Sequence, residues 1–427
     1  MTIARPRLRG QNYAFVVVAV VFLALLVSAG MRATPGVLML PLGRAFGWSR
    51  DSISAAAAVG ILLYGLMGPF AAALMQRFGI RRVLMSALAV MGLAAASSAL
   101  MTQPWQLVAS WGVLSGMGTG CVAVVLGATV TGRWFSTHRG LVMGLLTAST
   151  ATGTLIFLPG LAAISEYAGW RAVVLLLAVL CAALIPVVLW LLPERPADIG
   201  MTRYGAPPGE PADIGMPSGN LFALTLGALR RASGSGAFWL LFATFFVCGF
   251  TTNGLIGTHF IALCSDHGIP EVRAAGLLAM MGIFDLLGTT ASGWLTDRVD
   301  PRKLLFAYYG LRGLSLIYLP YSDFSLQSLS LFGVFYGLDW IATVPPTLRL
   351  ATEAFGERDA PVVFGWVVAG HQIGAAVAAF MAGVLRVQLG SYLMPFVIAG
   401  ASGVVAAFLA LRIRRARYEL APAVEAT

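Results

Sequence analysis

GWLTDRVDPRK occupies residues 293–303, and a worn copy of it, AALMQRFGIRR, occupies residues 72–82. Each closes a long apolar run with two adjacent basic residues, and the copies lie 221 residues apart in a chain of 427. A phrase repeated at half the chain length is the mark of an internal duplication. The same offset sets Gln76 against Asp297, Tyr64 against Asp285 and Gly68 against Thr289.

The apolar runs around these phrases set the class. Apolar residues make up 58% of the chain and charged residues 11%, against about 25% charged in a soluble globular protein. Cutting at the charged and Pro/Gly-rich breaks gives about twelve segments of the ~20 residues that cross a bilayer. They fall near 12–42, 51–75, 80–101, 105–132, 138–164, 170–192, 237–267, 272–296, 304–322, 326–350, 360–385 and 391–411. All are expected to be helical, since a backbone facing lipid must satisfy its own hydrogen bonds. The N-terminal RPRLRG and the run after it resemble a signal peptide, but the run is too long, so it reads as an uncleaved first helix.

The formal charge of +10 needs no nucleic acid to explain it. With both ends in the cytoplasm, 21 of the 28 Lys and Arg fall on cytoplasmic segments. Five lie on outer loops (Arg44, Arg50, Arg171, Arg273, Arg386), and Arg32 and Arg312 lie inside spans. That is the positive-inside bias of a plasma (inner) membrane protein that passes the bilayer many times. The four cysteines lie in or at the ends of spans with no metal or disulfide spacing, and read as packing residues.

The expected fold is an all-α membrane protein of two pseudo-symmetric six-helix bundles. The N-terminal bundle spans 1–192, a cytoplasmic linker 193–236, and the C-terminal bundle with a short cytoplasmic tail 237–427. The linker carries PADIGM twice, at 196–201 and 211–216, a small duplication in a tolerant loop. Within it NLFALTLGALRRAS (220–233) is expected to form a surface helix with Arg230 and Arg231 facing headgroups. Repeated bundles of this kind belong to transporters whose halves rock around a central site.

The pattern G-x-L-x-D-R-x-G-x-R-R/K resembles the signature loop of the major facilitator superfamily. Gly293, Leu295, Asp297, Arg298, Arg302 and Lys303 match it, while Asp300 stands where the family has Gly. In the first copy Ala72 replaces the family Gly and Gln76 the Asp. RWFSTHRGLVMGLLTASTATG (133–153) resembles the loop before the fifth helix of monocarboxylate and oxalate/formate carriers. GMRATPGVLMLPLGRAFGWSR (30–50) resembles the first helix of their bacterial relatives. The resemblance implies proton-coupled alternating access for a small organic anion, a monocarboxylate foremost. Other transport chemistry stays open, namely an exporter of drugs or other metabolites, and so does a transport-dead sensor.

A charge inside a span is costly unless paired or facing water, so the site candidates are few. Arg32 sits in the first helix among Gly30, Pro35, Gly36 and Pro41, suited to grip a carboxylate at two points or to snorkel outward. Asp285 lies twelve residues before Asp297, roughly 18 Å along a helix. The resemblance places an Arg four residues after this Asp, but this chain has Thr289 there. Arg312, about 14 Å into the ninth helix, is expected to reach Asp285 instead. Asp339 opens DWIATVPPT, where Pro345 and Pro346 must break the hydrogen-bond ladder, and is a candidate proton carrier beside Trp340. Asn253, His259 and His371 supply further polarity, and Gly112, Gly116 and Gly120 read as packing glycines. The two basic phrases, with Gln76, Arg77 and Arg81 in one and Asp297, Arg298 and Arg302 in the other, are read as cytoplasmic latches. Asp297 is placed at the N-terminus of a neighbouring helix. Paired catalytic carboxylates, metal clusters, nucleophile elbows and phosphate loops are absent from the sequence, so no enzyme, cofactor or metal is expected. The protein is expected to work as a monomer, with an anionic small molecule, protons and the lipid bilayer as its partners.

Overall fold

Every apolar run between charged breaks becomes a helix in the computed structural model, which describes residues 12–207 and 221–413. RPRLRG, the second PADIGM and the tail from residue 414 lie outside the described residues. The helices are α1 (Tyr13–Phe46), α2 (Arg50–Phe78), α3 (Ile80–Ser98), α4 (Pro104–Leu107), α5 (Gly116–Cys121), α6 (Val124–Trp134), α7 (Arg139–Ala168) and α8 (Trp170–Leu191). They continue as α9 (Leu221–Ala232), α10 (Gly236–Gly249), α11 (Gly257–Asp266), α12 (Glu271–Thr296), α13 (Pro301–Tyr318), α14 (Leu326–Asp339), α15 (Val344–Leu389) and α16 (Leu393–Leu411). π-Helical turns, Val108–Ser115 and Phe250–Ile256, join α4 to α5 and α10 to α11. α15 is two helices meeting at Gly356, whose φ of 77° only glycine adopts freely.

Among the described residues, ten helices are long and apolar enough to cross a membrane. The ninth and tenth expected spans fall short for local reasons. α13 has 18 residues and carries Arg302, Lys303 and Arg312. α14 ends after 14 residues because the chain breaks before Pro345 and Pro346. Pro35 and Pro41, by contrast, lie inside α1 without ending it. The expected surface helix in the linker is α9, with Arg230 and Arg231 exposed in its last turn.

The chain divides into two compact units. The first joins residues up to 219 with Gly257–Gly282, and the second joins 220–256 with the chain from Ile283. In the first unit the glycines of the fourth segment serve packing, as the sequence suggests. A Cβ on Gly116 would lie 2.7 Å from the Gly60 carbonyl, and one on Gly120 would lie 2.9 Å from that of Tyr64. In the second unit a Cβ on Gly249 would collide with the His371 carbonyl, and one on Gly254 with that of Ala375. Small residues that let helix backbones touch stand in for a hydrophobic driving force inside lipid.

The two basic phrases end their helices differently. At the start of α3, Gly79 has φ +89°, and the backbone N–H groups of Ile80 and Arg81 donate to the Glu194 carboxylate at 2.6 and 3.0 Å. A Cβ on Gly79 would lie 2.5 Å from that carboxylate. The equivalent position in the second phrase is Asp300, whose own Oδ1 accepts the Arg302 N–H at 3.0 Å and caps α13. Asp300 thus supplies locally the carboxylate that Glu194 brings to α3 from a distant connection.

Candidate polar site of the second unit

A proline pair deprives the chain of two donors, and the carbonyls thereby freed must find partners in the membrane interior. Between α14 and α15 the Ile341 carbonyl takes the Val344 N–H at 2.9 Å, and α12 and α13 meet the other loose groups of the break. Ser292 Oγ donates to the Ala342 carbonyl, the acceptor that Pro346 cannot use. Asp285 Oδ1 accepts the Ile341 N–H at 2.9 Å and the Thr289 hydroxyl at 3.0 Å. Arg312 donates through Nη2 to the carbonyls of Asp339 and, at 3.2 Å, Trp340. Three side chains from two helices thus complete the interrupted ladder.

Arg312 spends its remaining donors on side chains. Nε donates to Asp339 Oδ2 at 2.6 Å, and Nη1 to Cys248 Sγ at 3.1 Å. Cys248 in turn contacts Thr343 Oγ1 at 3.2 Å and faces the His371 imidazole, which packs on Phe245. Arg312 is 1% exposed, so a charge with fewer partners would carry a heavy desolvation cost. The Asp339 Oδ1 atom is buried without a hydrogen bond. Tyr336 packs edge-on against Trp340 and donates from its hydroxyl to the Thr251 carbonyl of the π-helical turn at 2.7 Å.

The structure therefore brings Asp285, Thr289, Arg312, Asp339 and Trp340 together, with His371 joined through Cys248. It corrects one pairing: the direct partner of Arg312 is Asp339, while Asp285 lies within electrostatic range of Arg312 and caps Ile341. The broken helix turns the Asp339 carboxylate and carbonyl toward the same guanidinium, which two-point geometry favours. It also corrects the reading of Cys248 as packing alone, because its thiol accepts from Arg312; the other three cysteines are buried thiols. Asn253 is half-buried within the π-helical turn. Cys248, Ser292 and Thr343 carried no sequence signal beyond the proline pair.

Arg32 and His259 lie in the first unit. His259 is fully buried in α11. Arg32 is half-buried, with its guanidinium carbon 4.9 Å from the centre of the Tyr64 ring and a buried Nε that has no hydrogen-bond partner. No ion pair holds Arg32 among the described residues.

A sequence model of the Major Facilitator Superfamily matches residues 21–344 and 292–426. The chain belongs to that superfamily. Among its relatives are an uncharacterized MFS-type transporter, YcxA, of Bacillus subtilis (strain 168) and monocarboxylate transporter 13 of Rattus norvegicus. The first is 26% identical over 367 residues, covering 83% of this chain and 84% of the relative. The second is 29% identical over 397 residues, covering 90% and 85%. A gallate transporter of Pseudomonas putida is 26% identical over 445 residues, covering 97% and 95%. Two solved structures share the fold at low identity. A bacterial homolog of the human lysosomal transporter Spinster gives a TM-score of 0.74 at 15% identity, covering 97% of this chain and all of that one. The D-xylose–proton symporter gives 0.73 at 13%, covering 95% and 100%.

In this transporter the two basic phrases are differently furnished. Gln76 and Arg81 are half-buried, and Arg77 is exposed over the Phe78 ring. Asp297 is exposed, and the carboxylates at the N-termini of α3 and α13 are those of Glu194 and Asp300. Arg298 stacks on Trp294 at 4.1 Å, and Arg302 pairs with Asp300. Among the described residues no cluster of His, Cys, Asp and Glu could hold a metal.

Proposed function

We propose that this transporter moves small organic anions, monocarboxylates foremost, together with protons by alternating access. The observation that carries the reading is Arg32. It is a cation inside a span, supported by an aromatic face, with a buried donor unspent. A carboxylate is the ligand that fits a guanidinium at two points. The names of two relatives, a monocarboxylate transporter and a gallate transporter, point to the same chemistry.

Asp285 and Asp339 are the carboxylates suited to take the proton. Both are buried, both touch the broken helix, and the free Oδ1 of Asp339 has room for one. Asn253, His259, Thr289, Trp340 and His371 are the further residues we assign to the substrate path. The bundles at 1–192 and 237–427, linked by 193–236, are the bodies that rock. The inner membrane, with both termini in the cytoplasm, is the setting the arginine distribution favours. The protein works as a monomer, and Gln76, Arg77, Arg81, Asp297, Arg298 and Arg302 serve its cytoplasmic latches.

Purified protein in proteoliposomes, given labelled lactate, benzoate or gallate under an imposed pH gradient, tests the reading. Uptake that rises with the gradient supports it. Absence of uptake for every carboxylate, with transport of apolar cations intact, would replace it with a drug exporter.

A further inference from the structure

α9 reads LFALTLGALRRA, with no acidic residue and only Thr225, Arg230 and Arg231 as polar side chains. A helix lying on a protein in water turns its polar residues outward. In α9 the outward stripe is Ala223, Leu226 and Arg230, the i, i+3, i+7 spacing of one face, with Arg231 beside it. Leu226 is 51% exposed. That face is thus apolar as far as Leu226 and doubly cationic in its last turn.

The inward face is already taken. Ala228 and Ala232 are buried, and Leu229 packs on the cluster that holds Ala232, Phe238, Leu350, Phe355 and Ile413. Trp366 of α15 donates its indole N–H to the Thr225 carbonyl at 3.0 Å. One face therefore pins α9 to its own unit, and the other offers its leucine and two arginines outward. Among the described residues no carboxylate pairs with Arg230 or Arg231.

A second, independent observation sets the depth of this face. Trp239, near the start of α10, is 53% exposed, yet its indole N–H donates to the Ser233 carbonyl at 2.8 Å, just past the end of α9. A tryptophan with its ring outward and its N–H satisfied suits the membrane–water interface. Ser233 Oγ in turn donates to the Arg230 carbonyl at 2.9 Å, so the basic turn of α9 stands at that level. Arg412, exposed beside Ile413 of the same cluster, adds a third cation to the unit there.

We propose that the outward face of α9 binds an anionic phospholipid of the bilayer. Arg230 and Arg231 hold the headgroup phosphodiester, and Leu226 and Ala223 lie along the acyl chains. Arginine forks match phosphate oxygens, and cations beside a span attract anionic lipid. A free phosphate ion would use the arginines and leave Leu226 bare. A zwitterionic lipid would answer its phosphate with its own amine. The inference rests on the membrane setting and not on the cargo, so its test uses no substrate and stands apart from the carboxylate reading.

Native mass spectrometry of the delipidated full chain in detergent, titrated with phosphatidylglycerol or with phosphatidylcholine of the same chains, tests the site. The unmodified protein is expected to prefer phosphatidylglycerol roughly thirtyfold, about fivefold for each of the two arginines. Arg230→Gln with Arg231→Gln is expected to abolish the preference, and Arg230→Lys with Arg231→Lys to keep most of it. Leu226→Ser is expected to weaken both lipids alike. Arg82→Gln removes an exposed arginine of α3 in the first unit and is expected to leave the preference unchanged. Equal binding of the two lipids by the unmodified protein overturns the proposal. So does a preference that survives in the double Gln variant, or one that Arg82→Gln lowers as much. Displacement of phosphatidylglycerol by millimolar inorganic phosphate overturns it as well, since the face would then be a simple anion patch.

Discussion

Arg312 and Asp339, 27 residues apart, meet through Nε and Oδ2 at 2.6 Å and again through the Asp339 carbonyl. The same arginine thus neutralises a buried carboxylate and repairs the backbone that presents it. Breaking such a pair by removing one partner costs about 3–5 kcal/mol, whereas replacing both by apolar residues of similar volume is often neutral. Asp339→Asn and Arg312→Met alone should each lower the unfolding midpoint in detergent. The double variant Arg312→Met with Asp339→Leu should recover most of it. If Asp339 carries the proton, the recovered protein will still lack gradient-driven uptake.

Ser292 offers a finer probe of the broken helix. Its hydroxyl accounts for the carbonyl that Pro346 leaves without a donor. Ser292→Ala should destabilise by roughly 1–3 kcal/mol, the cost of an unsatisfied buried acceptor. Thr290→Ala removes an exposed hydroxyl that returns to its own helix at Leu286, and should change stability by less than about 0.5 kcal/mol. Comparing the two in thermal unfolding separates the stitch from general loss of a hydroxyl.

Much of this architecture was legible in the sequence, and the reasons are physical. Spans announce themselves because lipid demands some twenty apolar residues in a row, and the repeated basic phrase disclosed the duplication. Pro345 and Pro346 announced the break, and intramembrane charge singled out Arg32, Asp285, Arg312 and Asp339. The partner of Arg312 was not legible, because depth along a helix says nothing of its rotation. Glu194 and Cys248 were missed for another reason. A carboxylate after a span looks like any loop charge, and a cysteine within one looks like packing, until folding brings the helix N-terminus or the guanidinium to it. The same logic hid a second symmetry: the breaks after Cys121 and before Val344 fall at one half-chain offset, as the basic phrases do. In the first half the Val122 carbonyl is taken by Ser28 Oγ at 3.0 Å.

The two helix caps make a matched pair of tests. Glu194→Gln and Asp300→Ala should each lower stability by about 1–2 kcal/mol, the usual effect of losing an N-cap acceptor. Their effects should add, since the caps belong to different units. Gly79→Asp, which copies the second phrase into the first, should not rescue Glu194→Gln. A side chain at φ +89° is strained, and its Cβ would occupy the place of the Glu194 carboxylate. Chemical denaturation of the three single variants and the Gly79→Asp, Glu194→Gln double variant settles the point.

Arg32 is the most direct test of the substrate. Its guanidinium rests on Tyr64 and keeps one buried nitrogen without a partner, whereas every nitrogen of Arg312 is engaged. Arg32→Gln removes charge and fork together and should raise the KM for carboxylate uptake by tenfold or more, about 1.4 kcal/mol per decade. Arg32→Lys keeps the charge as a point donor without the planar fork, and should fall between the two. Tyr64→Phe preserves the aromatic face and should leave KM within about twofold, because the support comes from the ring and not from its hydroxyl. Uptake kinetics in proteoliposomes, with KM and maximal rate read separately, distinguish these cases. A KM indifferent to Arg32→Gln would mean that the anion is held elsewhere, and the carboxylate reading would lose its anchor.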